Sequence, residues 1–138
     1  MSSALISIKP KHVKNILNGS KTVELRTRSM NLPVGTSLWI YTTLPKGEIE
    51  AVAIVAFIDT KSPSSIWKKY KDQICITKSE FDNYTSDRKK VTVIGLSEIE
   101  ESERKLCLQT LRTYDEKFTP PQFFIHLTPD KKIYSAFA

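Results

Sequence analysis

The sequence predicts a small mixed α+β barrel of five to six strands with two to three short helices. Three observations carry this. Apolar runs of strand length recur along the chain, and stretches with apolar residues at i, i+3 and i+4 fall between them. The run from Ala51 to Ile58 is apolar on both faces, as a central or closed-barrel strand is, whereas a half-exposed strand alternates. With 138 residues, 40% hydrophobic and 26% charged, and no repeat, low-complexity tract or long linker, the chain reads as one domain across residues 1–138.

The elements follow in order. "ALISI" is a short strand that ends at Lys9-Pro10, and proline suits a first helical position because its missing N–H would be unpaired there anyway. In "PKHVKNILNG", Val13, Ile16 and Leu17 make one buried stripe and Gly19 ends the helix. "KTVELR" alternates with period two, so Val23 and Leu25 face the core while Thr22, Glu24 and Arg26 share the other face. Lys21 stands at the entrance of that strand, where the Gly19 turn can aim it either way. A turn with Pro33 and Gly35 leads into a strand around Ser37 to Thr43, and "KGEIEAVAIVAFIDT" continues as a second after Gly47. "SPSSIWKKYKDQI" reads as a helix with Ile66, Trp67, Tyr70 and Ile74 on one side. Thr77 and Glu80 have capping-box spacing and announce another. "KKVTVIGL" is a strand, the acidic "SEIEESERK" fills a solvated hairpin or edge, and "LCLQTLRTY" forms a short helix before Pro120-Pro121. "QFFIHL" is the last strand.

Composition narrows the function classes. No run of about 18 apolar residues is present, so no membrane partner is expected. "MSSALISI" lacks the basic start and apolar centre of a secretory signal, which makes the cytoplasm the expected location. Cys75 and Cys107 are isolated from each other and from any histidine cluster, so two buried free thiols, no metal and no cofactor are expected. The net charge of +6 favours a polyanionic partner, because basic surface gains from releasing counterions condensed on nucleic acid.

The densest chemistry lies in "GSKTVELR". Glu24 and Arg26 sit on one face about 7 Å apart along the strand. A carboxylate beside a guanidinium suits a base edge plus a phosphate, with Glu accepting from an exocyclic amine and Arg donating to oxygens. The same pair on an exposed strand is an ion pair worth about 0–1 kcal/mol. Lys21 is equally a solvated turn lysine or a phosphate ligand at the rim of a cleft. Trp39 and Tyr41 alternate with Leu38 and Ile40, so one pair faces the core and the other faces out or lines a cleft. Tyr41 is the candidate stacking platform, against the alternative of a core tyrosine.

Gly19, Lys21, Glu24 and Arg26 fit the G-x-K-x-x-E-x-R hallmark of the ASCH domains, whose fold is similar to the PUA-like β-barrel. "ISIKPKHVKNILNG" before the hallmark, "VGTSLWIYTT" after it, "ITKSEFDNY" and "TPPQFF" resemble one branch of that family, described as predicted transcriptional regulators. The resemblance covers Leu5 to Leu127 and departs at Phe123, where a small polar residue is expected, which would narrow the rim of a pocket there. It implies that RNA or a nucleotide-like ligand binds in a cleft at Lys21, Glu24 and Arg26, with Tyr41 and Lys9 near its rim. It also offers an enzyme: an amidohydrolase acting on an N-acylated nucleoside such as N4-acetylcytidine, using the motif lysine, a threonine three residues later and a distant glutamate. Here Glu24 replaces the threonine, and a neighbouring carboxylate stabilises the protonated amine unless burial outweighs it. Glu80 is the candidate distant partner, although its capping-box role explains it structurally. A metal-independent ribonuclease has only His12 and His126, far apart in sequence, to speak for it. A protein-interaction module would instead use "SEIEESE" as its docking surface.

Overall fold

The computed structural model describes residues 2–138. Its elements are β1 (Ser3–Ile8), α1 (Pro10–Leu17), β2 (Val23–Arg26), β3 (Ser37–Thr42), β4 (Glu48–Lys61), α2 (Pro63–Ile74), α3 (Lys78–Tyr84), β5 (Val91–Cys107), α4 (Leu108–Tyr114) and β6 (Phe124–His126). A 3-10 turn at Lys132–Ala136 follows. The strands form one six-stranded sheet, ordered β2-β5-β4-β3-β1-β6 and curled into a half-barrel. β1 and β3 are parallel; every other neighbouring pair is antiparallel. The register between β4 and β5 shifts at three places, and each extra residue bends and twists the long strands, so the sheet curls rather than lying open.

Three apolar clusters fill the curl. α1 presses Val13 and Ile16 onto Ala4, Ile6, Leu38 and Ala53. On the opposite face Leu5, Tyr41 and Ile49 meet Leu111 of α4 and Ile133 of the 3-10 turn. Ile66 and Tyr70 of α2 and Phe81 of α3 cover Val23, Leu25, Val91 and Val93. Trp67 packs against Phe81, with ring centroids 5.0 Å apart, and so ties α2 to α3.

Four α-helices form, one at each helical segment read along the sequence and one more than the two to three counted for the barrel. Two are only seven residues long, and local caps hold them. α3 carries the complete Thr77–Glu80 capping box, and Cys107 Sγ accepts from the Thr110 N–H at the start of α4. "SEIEESERK" is not a hairpin but the second half of the continuous strand β5. It forms an edge, since β2 pairs only as far as Gly95. Both cysteines are free but half-buried rather than buried. Among the described residues, no helix is long and apolar enough to cross a membrane.

Candidate functional site

The ends of β1 and β3, the start of α1, strand β2, helices α3 and α4 and the turn at Pro120-Pro121 enclose a cleft of about 790 Å³. Lys9, Lys21, Arg26 and Arg112 line it against only two carboxylates, Glu24 and Glu80, so its field is positive.

Local structure puts the hallmark on the floor. Asn18 ends α1, and Gly19 adopts φ +85, a conformation costly for a side chain. The chain then turns, and the Lys21 N–H donates to Asn15 O at 2.9 Å. This aims Lys21 inward: it is only 2% exposed, and its Nζ donates to Ile74 O at 2.6 Å. Glu24 Oε1 lies 3.6 Å from Nζ, while Oε2 accepts from Arg26 Nη2 at 2.8 Å and Nε at 3.1 Å. Arg26 Nη2 also donates to Ser7 O at 2.8 Å, which ties β2 to β1 across the cleft. The three charges therefore form a shielded chain with the carboxylate in the middle, rather than an exposed surface pair.

Burial dominates the electrostatics. It lowers the Lys21 pKa below the ordinary lysine value, and the Glu24 carboxylate opposes this without cancelling it. Of the two influences the sequence left open for Lys21, burial is the larger and the carboxylate the opposing one. The histidine in the cleft, His12, is also pushed down, first by burial and then by Lys21, so its ring is neutral at neutral pH. Its Nδ1 and the neighbouring Ser7 Oγ are shielded atoms without a hydrogen-bond partner in the protein.

The remaining predicted residues fall as follows. Lys9 is exposed at the mouth, as the residue preceding α1. Tyr41 reaches the cleft, but its ring is 2% exposed and belongs to the core, leaving little face for stacking. Its partner Trp39 is half-buried and packs against the same cluster, so neither pair on β3 is fully exposed. Glu80 lines the cleft with its oxygens already engaged: it accepts from Thr77 N–H and Oγ1 and pairs with Lys11 at 2.9 Å. These bonds hold its pKa down at about 2, so it is a weak base. His126 does not line the cleft and is exposed on β6. Sequence reading passed over Arg112 and Tyr84, and it weighed His12 only with His126 as slight support for a ribonuclease. Only His12 left a signal, as a histidine one turn into a helix that leads to the hallmark. Among the described residues, no group of three His, Cys, Asp or Glu could hold a metal ion.

A family model for a domain of unknown function matches residues 4–123, nearly the whole of this framework. The chain belongs to the DUF365 family. An ASCH domain-containing ribonuclease from Zymomonas mobilis is 28% identical to this DUF365 chain over 119 residues, covering 86% of this chain and 80% of the relative. The solved structure of ASCH from Zymomonas mobilis superposes with a TM-score of 0.88 at 27% identity, covering 96% of this chain and 94% of that one. These likenesses support the ASCH resemblance drawn from the hallmark. Human THYN1, solved in complex with 5-methylcytosine containing DNA, shares the fold, with a TM-score of 0.57 at 11% identity over 99% of this chain and 95% of that one.

Proposed function

We propose that this DUF365 chain binds RNA, seating a nucleotide in the cleft, and serves RNA metabolism. The observation that carries the reading is the buried Lys21–Glu24–Arg26 chain on the floor of a cationic cleft. Glu24 Oε1 keeps capacity to accept from an exocyclic amine of a base. Lys21 and Arg26 supply cationic donors for phosphate or base oxygens in a shielded setting, where such bonds are stronger than in water. Ser7 Oγ and His12 Nδ1 are unpaired groups that a ligand would satisfy. Titrating the protein with a short single-stranded RNA at several salt concentrations tests this. Affinity should fall log-linearly with salt and drop in Lys21→Ala; a flat salt response removes the polyanion model.

A second reading, metal-independent RNA cleavage, is favoured by the neutral His12 beside Lys21 and Glu24. The Zymomonas relative's being a ribonuclease adds support. In this reading His12 accepts the proton of a ribose 2′-hydroxyl as that oxygen attacks the adjacent phosphorus. The bond to the 5′-oxygen breaks, that oxygen takes a proton from the Lys21 ammonium, and a 2′,3′-cyclic phosphate remains; Arg26 balances the charge on the phosphoryl oxygens. Cleavage of RNA should then persist in chelator and vanish in His12→Ala, and a fully active variant would discard the step.

The amidohydrolase reading has less support. Glu80 is too weak a base, and Lys21 already donates to Ile74 O. A protein-docking role rests on the acidic edge of β5, and charge reversal at Glu100 and Glu101 would expose it. A role in transcriptional regulation follows only from the branch the sequence resembles.

A further inference from the structure

The cleft opens at one side onto a smaller depression of about 200 Å³, and Arg26, Tyr84 and Gln122 line both. We propose that this depression is a second nucleotide subsite, so the ligand is a single-stranded stretch of at least two nucleotides rather than a lone nucleoside. The inference rests on the RNA reading and adds the minimum length and the path of the bound strand.

Charge is the first argument. Arg26 and Arg28 lie 5.6 and 5.4 Å from the centroid of the same Phe123 ring, and no acidic side chain lines the depression. Glu24 already takes Nε and Nη2 of Arg26 on the cleft side, and Nη1 has no protein acceptor among the described residues. Arg28 is exposed and makes no ion pair among the described residues. Glu24 offsets the charge of Arg26 from the cleft side, while the charge of Arg28 is offset by no carboxylate among the described residues, so an anion in the depression gains from both guanidiniums. A phosphodiester has the charge and the paired oxygens that guanidinium forks fit.

The second argument is the aromatic surface. Tyr84, the last residue of α3, is 46% exposed at the junction of the two depressions. Unlike the buried Tyr41, it has free ring surface on which a base can stack. Phe123, where the ASCH resemblance leads one to expect a small polar residue, also acquires a purpose. Its ring carries both guanidiniums and forms a wall of the outer depression. A strand following this path has one base over the Lys21–Glu24–Arg26 floor, a phosphate at Arg26 and Arg28, and the next base against Tyr84.

The test compares cytidine 5′-monophosphate with 2′-O-methyl oligocytidylates of two and four nucleotides, which cannot be cleaved through a 2′-hydroxyl, by isothermal calorimetry. The dinucleotide is expected to bind about 5- to 160-fold more tightly than the mononucleotide, the range that one added stack supplies. Arg28→Ala and Tyr84→Leu should each erase most of that advantage. Equal affinity for one and two nucleotides, with Arg28→Ala silent, overturns the second subsite and leaves the inner cleft standing. If neither probe binds and Lys21→Ala changes nothing, the RNA reading itself fails and the subsite falls with it. Arg28 is exposed and outside the core, so its variant folds and the comparison stays decisive.

Discussion

Replacing Glu24 by glutamine keeps the shape of the side chain and removes the only negative charge between Lys21 and Arg26. Breaking a sealed ion pair by neutralising one partner costs about 3–5 kcal/mol, because the remaining charge is left buried. Lys21 and Glu24 are sealed, with side chains 2% and 7% exposed, but Arg26 is 13% exposed and keeps its bond to Ser7 O. Part of the loss is recovered there, and the expected destabilisation is about 2–4 kcal/mol at neutral pH. The pH dependence is diagnostic. Folding holds the Lys21 pKa below its unfolded value, so between the two values the unfolded chain binds more protons and stability rises with pH. In Glu24→Gln the opposing carboxylate is gone, the folded pKa falls further, and this window widens. Urea denaturation of both proteins from about pH 6 to about pH 10 should therefore show the gap between them narrowing as pH rises. A gap below about 0.5 kcal/mol, or one that stays constant over that range, would refute the coupling of Lys21 to Glu24.

Three further outcomes are expected. Lys21→Met, which keeps the volume of the stem but removes the ammonium, should cost less stability than Glu24→Gln by thermal melting, because Glu24 keeps both bonds to Arg26, while RNA affinity drops and the salt slope decreases by about one. Glu80→Gln should destabilise the protein near neutral pH, with the difference disappearing as pH falls. The wild-type carboxyl titrates near 2 in the folded chain against 4.5 ordinarily, so its contribution is present above 4.5 and lost on approach to 2. Gly95→Ala would drive a Cβ into the edge of the Phe57 ring, which is stacked on Tyr70 at 5.7 Å. Overpacking of this kind costs about 1–3 kcal/mol, and combining it with Phe57→Leu should restore much of the melting temperature.

Sequence by itself determined the strands, the helix positions and the hallmark, because period-two and i, i+3, i+4 patterns and capping residues act through neighbours in the chain. α1, with Pro10 at its start and Gly19 beyond its end, and the doubly apolar β4 were legible for that reason. The Thr77–Glu80 box was equally legible, and it shows why Glu80 is engaged in structure. What the tertiary structure alone decided was exposure. Lys21 stood at a turn that could have aimed it either way, and only the arrival of α2, with the Ile74 carbonyl 53 residues away, buries its ammonium and reverses the balance that Glu24 alone would set. Trp39 and Tyr41 share one face of β3 whose burial the sequence left open, and α4 and the 3-10 turn cover that face, burying Tyr41 and half-burying Trp39. His12, Tyr84 and Arg28 become neighbours of the hallmark only when α1, α3 and the chain after β2 close around one cleft and its outer depression. Burial and charge proximity are sums over contacts between distant segments, and no local pattern encodes them.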